Sequence, residues 1–515
     1  MKKSLLLLFV CFLFGTMVEA QTRYLDPIYT AAQVRRADSV RYAVNKSMLA
    51  FYTPLKASFP QALHADIYQP PVADVETKRP LVIYLHTGNF LPINAVGPSG
   101  SLRDSTAIEI CTRFARMGYV AASADYRLGW NPFLSIEEAK RLTLINASYR
   151  GIQDLRSCIR FFKLNAATYG IDTNKIMVFG QGTGGYISLG AATLDNFSKI
   201  PNTEFGPNKF FYGGTTMVNE SINGNIFGTS LGVVPVASTD TFTRAGDTLC
   251  LPNNPGPTSN FQMQVNLGGA AGDLSWVDAN SFPMVSFHVP YDLFAPYSDG
   301  VLRVGSPTGP QPVIRVQGAD SVIRKMNRLG RNNIFRGLTA AYDPYKATFD
   351  ARTGGHVTGL YAMLSKLTTD SSPWDFWSLS NPRSADGLAT APDMTPARAR
   401  IYIDTIMQVV APRACLALNL PCKGLVTGTE DLLQSSTTKL FASPNPAKTA
   451  ITFESEVVNP MQGIQLFDMA GRQVFQAKFN SHNYTMPRNG LPSGMYVAKV
   501  KFEGGILTKK VVFED

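Results

Sequence analysis

Leu81-Val-Ile-Tyr-Leu85 is a run of five apolar residues with no polar alternation, the pattern of a strand buried on both faces of a sheet. A helical pattern follows from Ala107 to Met117, and then a second buried run, Tyr119-Val-Ala-Ala-Ser-Ala124. Helical spacing from Tyr149 to Ala166 puts Ile152, Leu155, Ile159 and Phe162 on one side. A strand (Lys175 to Phe179), a helix from Gly184 and the strands Gln262 to Leu267 and Met284 to His288 continue the series. Strand and helix alternating from about residue 80 to 355 predict an α/β fold with a doubly wound, mostly parallel sheet covered on both faces. Residues 192–260 are rich in Gly, Asn, Thr and Pro and lack a period, which predicts a long insertion capping a binding site.

The ends of the chain read differently. Lys2 and Lys3 precede an apolar run from Leu5 to Phe14, and Val18-Glu19-Ala20 offers small residues at the −3 and −1 positions. This is the pattern of a secretory signal peptide over 1–20, too short in its apolar part to span a bilayer. The last 75 residues hold short β-rich segments (Ala450 to Phe453, Gly463 to Phe467, Gln473 to Phe479, Met495 to Phe502, Leu507 to Phe513). Turns such as Ala470-Gly471 and Gly504-Gly505 separate them, and a small all-β Ig-like sandwich is the expected result. Ser435-Ser436-Thr437-Thr438 reads as part of a linker over 431–440, between a body at 21–430 and a tail at 441–515.

Composition narrows the function classes. Hydrophobic residues make up 45% of the 515 and charged residues 17%, which excludes a disordered or collagen-like chain. Mean hydropathy near zero excludes a multi-span membrane protein, and no transmembrane segment is expected. The net charge of +10 is not gathered into a basic block. Arg324, Lys325, Arg328 and Arg331 fall at helical spacing, as a solvated face does, so nucleic acid is not an expected partner. Without Cys11 of the leader, an odd number of cysteines remains. Cys415 and Cys422 are the expected disulfide of an oxidising compartment, Cys111 and Cys158 fall in apolar helical patterns as buried thiols, and Cys250 is unassigned. No Cys/His spacing suggests a metal, and no cofactor is implied.

Four tail segments resemble the C-terminal sorting domain of the Bacteroidetes type IX secretion system. They are Ser443-Pro444-Asn445-Pro446, Ile464 to Asp468 with Gly471-Arg472, Leu491-Pro-Ser-Gly494-Met-Tyr496, and Lys509-Lys510-Val511-Val512. The resemblance implies passage through the periplasm to the outer cell surface or medium, with the type IX machinery as partner. A carbohydrate-binding Ig-like accessory domain is the other reading of these strands.

Four landmarks of the body resemble the α/β-hydrolase fold, in particular secreted carboxylesterases and feruloyl-esterase-like enzymes. His86-Thr87-Gly88-Asn89-Phe90 is similar to the family's His-Gly-Gly-Gly-Phe loop, and Gly118-Tyr119-Val120 through Asp125-Tyr126-Arg127-Leu128 to its Gly-Tyr-Val…Asp-Tyr-Arg-Leu. Gln153-Asp154 through Arg160-Phe161-Phe162, with Gly170-Ile171-Asp172 and Lys175-Ile176, looks like the approach to a nucleophile elbow. His288-Val-Pro-Tyr-Asp292 with Pro296-Tyr297 resembles the segment bearing the catalytic acid.

The elbow departs from the pattern. The family has Gly-x-Ser-x-Gly, and here the turn reads Gly180-Gln181-Gly182-Thr183-Gly184. Gly182 holds the nucleophile position without a side chain. Thr183 is one residue out of register for attack, but its N–H follows the elbow and is an expected oxyanion donor, with Gly88 and Asn89 supplying the other side. By resemblance Asp292 is the expected acid, although the residue type equally suits a turn cap. His356, in Thr353-Gly354-Gly355-His356, is the expected base by chain order and by elimination among the histidines after the leader. Trp130, Trp276, Trp374 and Trp377 either line the pocket or pack the core. The implied ligand is a small-molecule or polysaccharide-linked acyl or feruloyl ester, which the protein hydrolyses or, lacking the serine, only binds as a surface pseudoenzyme.

Overall fold

β3 (Arg79–Leu85) carries the apolar run, and every residue of it is buried because a neighbouring strand lies on each side. Leu81 pairs with Val120 of β4 (Val120–Ala124) and with Ile176 of β5 (Ile171–Gln181), both parallel. β6 (Met263–Leu267) joins β5 to β7 (Met284–His288), and β7 pairs with β8 (Leu360–Ala362), all parallel. At the other edge β1 (Arg35–Ser47) and β2 (Phe59–Gln69) form an antiparallel pair, giving one sheet in the order β1-β2-β4-β3-β5-β6-β7-β8. The computed structural model describes residues 22–49, 57–204, 209–238, 243–304, 311–425, 440–455, 460–502 and 505–515. The leader over 1–20 and nearly all of the 431–440 linker fall outside the described residues.

Helices α1 (Ser105–Arg116), α2 (Glu137–Leu164) and α3 (Thr183–Thr193) make the crossovers β3 to β4, β4 to β5 and β5 to β6. α1 buries Ile110, Cys111 and Phe114 on one face of the sheet, and α2 buries Ile152, Leu155 and Ile159 on the other. α3 lies unusually close to the sheet. A Cβ on Gly184 would overlap the carbonyl of Leu85, 2.6 Å from its carbon, so only glycine permits this approach. α4 (Ala319–Arg328) buries Val322, Ile323 and Met326 and carries Arg324, Lys325 and Arg328 of the sequence patch, while Arg331 follows the helix and donates to Ser281 O at 2.8 Å.

Within 192–260 the chain is less irregular than its composition suggests. It forms two short ribbons, Phe211–Tyr212 with Thr215–Thr216 and Gly232–Val233 with Thr248–Cys250. Buried arginines of α2 fasten it to the body. Arg160 donates to the carbonyls of Phe227, Gly228, Asn253 and Asn254, and Arg156 to that of Ile226. Beneath them Arg127 and Asp154, both fully buried, pair at 2.8 Å, and Arg127 also donates to Leu249 O at 3.0 Å.

Cys415 and Cys422 are joined as a disulfide, and Cys111, Cys158 and Cys250 are buried free thiols. Among the described residues the tail forms seven strands in two antiparallel sheets, two more strands than the sequence pattern indicates. β9 (Leu440–Ser443), β10 (Ala450–Ser455) and β13 (Asn483–Pro487) form one sheet. β11 (Met461–Asp468), β12 (Gln473–Ser481), β14 (Gly494–Phe502) and β15 (Gly505–Phe513) form the other, with Phe453, Leu466 and Val500 in the core between them.

Candidate functional site

β5 ends at Gln181 and α3 begins at Thr183, so Gly182 is the whole turn between strand and helix. Its φ of 51° and ψ of −112° are a combination that costs a residue with a side chain roughly 1–3 kcal/mol. Its N–H donates to Leu267 O at 2.8 Å, which ties the turn to the end of β6. The space a side chain would enter is taken. A Cβ built on Gly182 would overlap Thr87 Oγ1 and lie 3.1 Å from Thr87 Cβ.

The loop after β3 wraps this turn. Gly88, Asn89 and Phe90 have φ values of 132°, 52° and 55°, a left-handed stretch that turns the backbone back toward α3. The Asn89 N–H donates to Thr183 Oγ1 at 2.7 Å, and Gly184 N–H donates to His86 O at 3.1 Å. Gly88, Asn89, Gly182 and Thr183 are thus brought together. One of the two donors that would face a reacting oxygen is already satisfied by the threonine hydroxyl. His86 stacks on Tyr126 with ring centroids 4.6 Å apart, and burial pushes its pKa down to about 4. A neutral, enclosed imidazole of this kind is loop scaffold rather than a base for the cleft.

Asp292 sits in the turn after β7. Its Oδ1 accepts from the N–H groups of Phe294 (2.8 Å) and Ala295 (3.1 Å), so it does cap the turn. Its Oδ2 lies 3.4 Å from Nε2 of His288, and both side chains are buried. Asp292 also lines the same cleft as Gly182.

His356 is not brought to the elbow. It precedes β8, which runs parallel to β7, β6 and β5, whereas Gly182 follows the C-terminal end of β5. The two residues are therefore at opposite ends of the sheet's strands. The His356 side chain is 40% exposed, with Nδ1 2.8 Å from Asp350 Oδ1 and Nε2 3.1 Å from Thr358 Oγ1. The expectation failed because chain order places a histidine after the acid but does not say on which side of β8 it falls. The loop that leaves the C-terminal end of β8, 363–377, contains no histidine. Ser371 of that loop accepts the Leu293 N–H at 3.2 Å, beside Asp292. Among the described residues lining the cleft there is no histidine at all.

The cleft has a volume of about 1170 Å³. Trp130, Trp276 and Trp377 line it, while Trp374 is wholly buried in the core. The insertion contributes Leu194, Ile200, Phe210 and Val218 to its wall, as a cap would. Two lining groups had no signal in the sequence. They are Tyr186, one turn into α3, and Asp375, on the loop after β8. Burial raises the Asp375 pKa while the Thr106 hydroxyl donates to it at 2.8 Å. Burial, with the charge of Asp375 second, pushes Asp104 up to about 7. Among the described residues no cluster of His, Cys, Asp and Glu is arranged to hold a metal ion, and no helix is long and apolar enough to cross a membrane.

Residues 65–301 match the BD-FAE family model, and residues 442–514 match the secretion system C-terminal sorting domain. Carboxylesterase 3B of Mus musculus is 28% identical over 163 residues, 32% of this chain and 25% of the mouse protein. Neuroligin-like protein glit-1 of Caenorhabditis elegans is 28% identical over 123 residues, 24% of this chain and 14% of that protein. The chain thus spans a quarter or less of the curated relatives it matches. Among solved structures, esterase 2 of Thermogutta terrifontis in its propionate-bound form is 14% identical, with a TM-score of 0.31, covering 69% of this chain and 92% of that one. The same enzyme phosphoramylated by tabun is 13% identical with a TM-score of 0.32, covering 71% and 94%. The chain carries an esterase-like α/β-hydrolase domain followed by a type IX secretion sorting domain, and the latter indicates secretion or the outer cell surface.

Proposed function

We propose that the body is a non-hydrolysing ligand-binding protein of the esterase type, displayed at or released from the cell surface. The observation that carries this reading is the state of the elbow. Gly182 keeps the backbone of a nucleophile turn with no side chain, and no histidine is among the described residues of its cleft. Loss of the serine alone costs about 10⁶ in rate where a full triad operates, leaving roughly 10³–10⁴ over water from binding and the oxyanion hole. Here the second of these is also weakened, because the Asn89 N–H is held by Thr183 Oγ1. Binding is what the remaining geometry supports, in a capped cleft with an apolar wall. Acyl or feruloyl esters, free or on polysaccharide, are the ligands implied by the family resemblance.

The test is hydrolysis of p-nitrophenyl acetate and butyrate by the full chain, beside Asp292→Ala and Thr183→Ala. Wild-type turnover indistinguishable from both variants is the expected result. A wild-type kcat/KM of about 10⁴ M⁻¹s⁻¹ or more that collapses in either variant would overturn the proposal and reinstate an active hydrolase with a rearranged nucleophile.

A further inference from the structure

The acidic groups of the cleft differ in how their charge is met. Glu137 pairs with Lys140 at 2.7 Å, Asp370 with Arg398 at 2.6 Å, and Asp386 with Arg383. Asp375 receives the Thr106 hydroxyl. Asp292 is different. Among the described residues no lysine or arginine pairs with it, and its Oδ2 has only the His288 Nε2 at 3.4 Å, an N–H that lies closer to Ala295 O at 3.1 Å. The Asp292 side chain is 4% exposed. A carboxylate so enclosed is costly without a counter-charge.

A buried group without a partner lies within its electrostatic reach. The Tyr186 hydroxyl is buried and has no hydrogen-bond partner among the described residues. Its pKa is raised first by burial and then by the charge of Asp292, which places the two groups within electrostatic reach. Oδ2 of Asp292 stands over Gly268, about 4.0 Å from where a Cβ would be, and Gly182 beside them leaves the floor without a side chain. From this polar floor the wall runs through Trp130, Ile152, Leu194, Phe210, Trp276 and Ile314, all apolar.

We propose that the cleft takes an amphiphilic organic cation, an alkyl- or arylammonium whose N–H groups donate to Asp292 Oδ2 and Tyr186 Oη while its apolar part lies along the aromatic and aliphatic wall. Such a ligand presupposes the non-hydrolysing reading of the body, and it supplies a donor to Oδ2 where His288 Nε2, at 3.4 Å, lies closer to Ala295 O. Charge-assisted hydrogen bonds are the strong ones, so the head group rather than the tail decides selectivity. Arg303, exposed on the strand Asp299–Val304, which pairs antiparallel with Gln311–Gln317 and also borders the cleft, favours the opposite charge and makes the choice testable.

The experiment is titration calorimetry on the full chain with three probes that share a tail, octylammonium, octan-1-ol and octanoate. Octylammonium is expected to bind at least about tenfold more tightly than octanol, with octanoate weakest. In Asp292→Asn, which keeps an acceptor for the Phe294 and Ala295 N–H groups, the amine-to-alcohol ratio falls to within about twofold. Tyr186→Phe, which keeps the ring and removes only the hydroxyl, lowers the ratio about threefold. Equal affinities, octanoate as the tightest ligand, an Asp292→Asn ratio equal to that of wild type, or no binding of any probe overturns the proposal. Ester turnover by the wild type would instead defeat the non-hydrolysing reading and leave the amine preference to be read separately.

Discussion

The hydroxyl of Thr183 accepts the N–H of Asn89 at 2.7 Å, so the residue after the elbow occupies a donor that an acyl-transfer site would keep for the substrate oxygen. Thr87 fills the other side of the turn, where a Gly182 side chain would project. Two neighbouring threonines thus occupy the space beside Gly182 and the Asn89 N–H.

Gly182→Ser alone is expected to destabilise the protein by about 2–4 kcal/mol, combining the left-handed backbone with overlap on Thr87. It gains no esterase activity, because no base faces the serine. Thr87→Gly removes the overlapping atoms. A double-mutant cycle by urea denaturation is expected to give a favourable coupling of at least about 1 kcal/mol, and strictly additive effects would show that the two residues do not compete for one space.

Arg127→Met is expected to cost about 3–5 kcal/mol, because it leaves Asp154 as an uncompensated buried charge. The same guanidinium holds Leu249 O, so the insertion should loosen as well. Limited proteolysis within 243–260 should accelerate in this variant. An unchanged cleavage rate there would separate the ion pair from the anchoring of the cap.

Much of the fold was legible because parallel strands are buried on both faces and so read as unbroken apolar runs. β3, β4, β6 and β7 announce themselves this way. β1 and β2 do not, since an antiparallel edge pair mixes exposed and buried residues (Arg35 to Ile67) without an apolar block. The strand-to-helix turn at Gly182 and the turn at Asp292 were both legible only through their family-like context. The base was not. β8 is three residues, Leu360-Tyr-Ala362, too short to mark its own ends, and so nothing in the chain told which end His356 would occupy. Tyr186 and Asp375 have no motif around them. They matter only through the cleft that the fold builds.

His356→Ala is expected to change neither ligand binding nor ester turnover. Its partner Asp350 is a quarter exposed, and its own side chain more so, so the loss in stability should stay below about 1 kcal/mol. Abolition of binding by this substitution, with an unchanged melting curve, would contradict its placement at the opposite end of the strands from Gly182.

The two carboxyls Asp104 and Asp125 give the fold an unusual response to alkali. Burial pushes Asp104 up to about 7, helped by Asp375, and burial pushes Asp125 up to about 8. Both are raised above their unfolded value of 3.8. The folded state then binds more protons than the unfolded chain across that interval, so stability falls as pH rises from about 4 through 7 and 8. His86 acts oppositely, since its depressed pKa costs stability as pH falls from 6.5 toward 4. Urea midpoints measured at pH 5, 6.5 and 8 should separate the contributions. In Asp104→Asn the decline between pH 5 and 8 should shrink relative to wild type, because the amide cannot release a proton. If the two pH profiles stay parallel, Asp104 does not change its ionisation within that range in the folded protein, and the loop it caps from Gly100 to Ser101 is held by a carboxylate throughout.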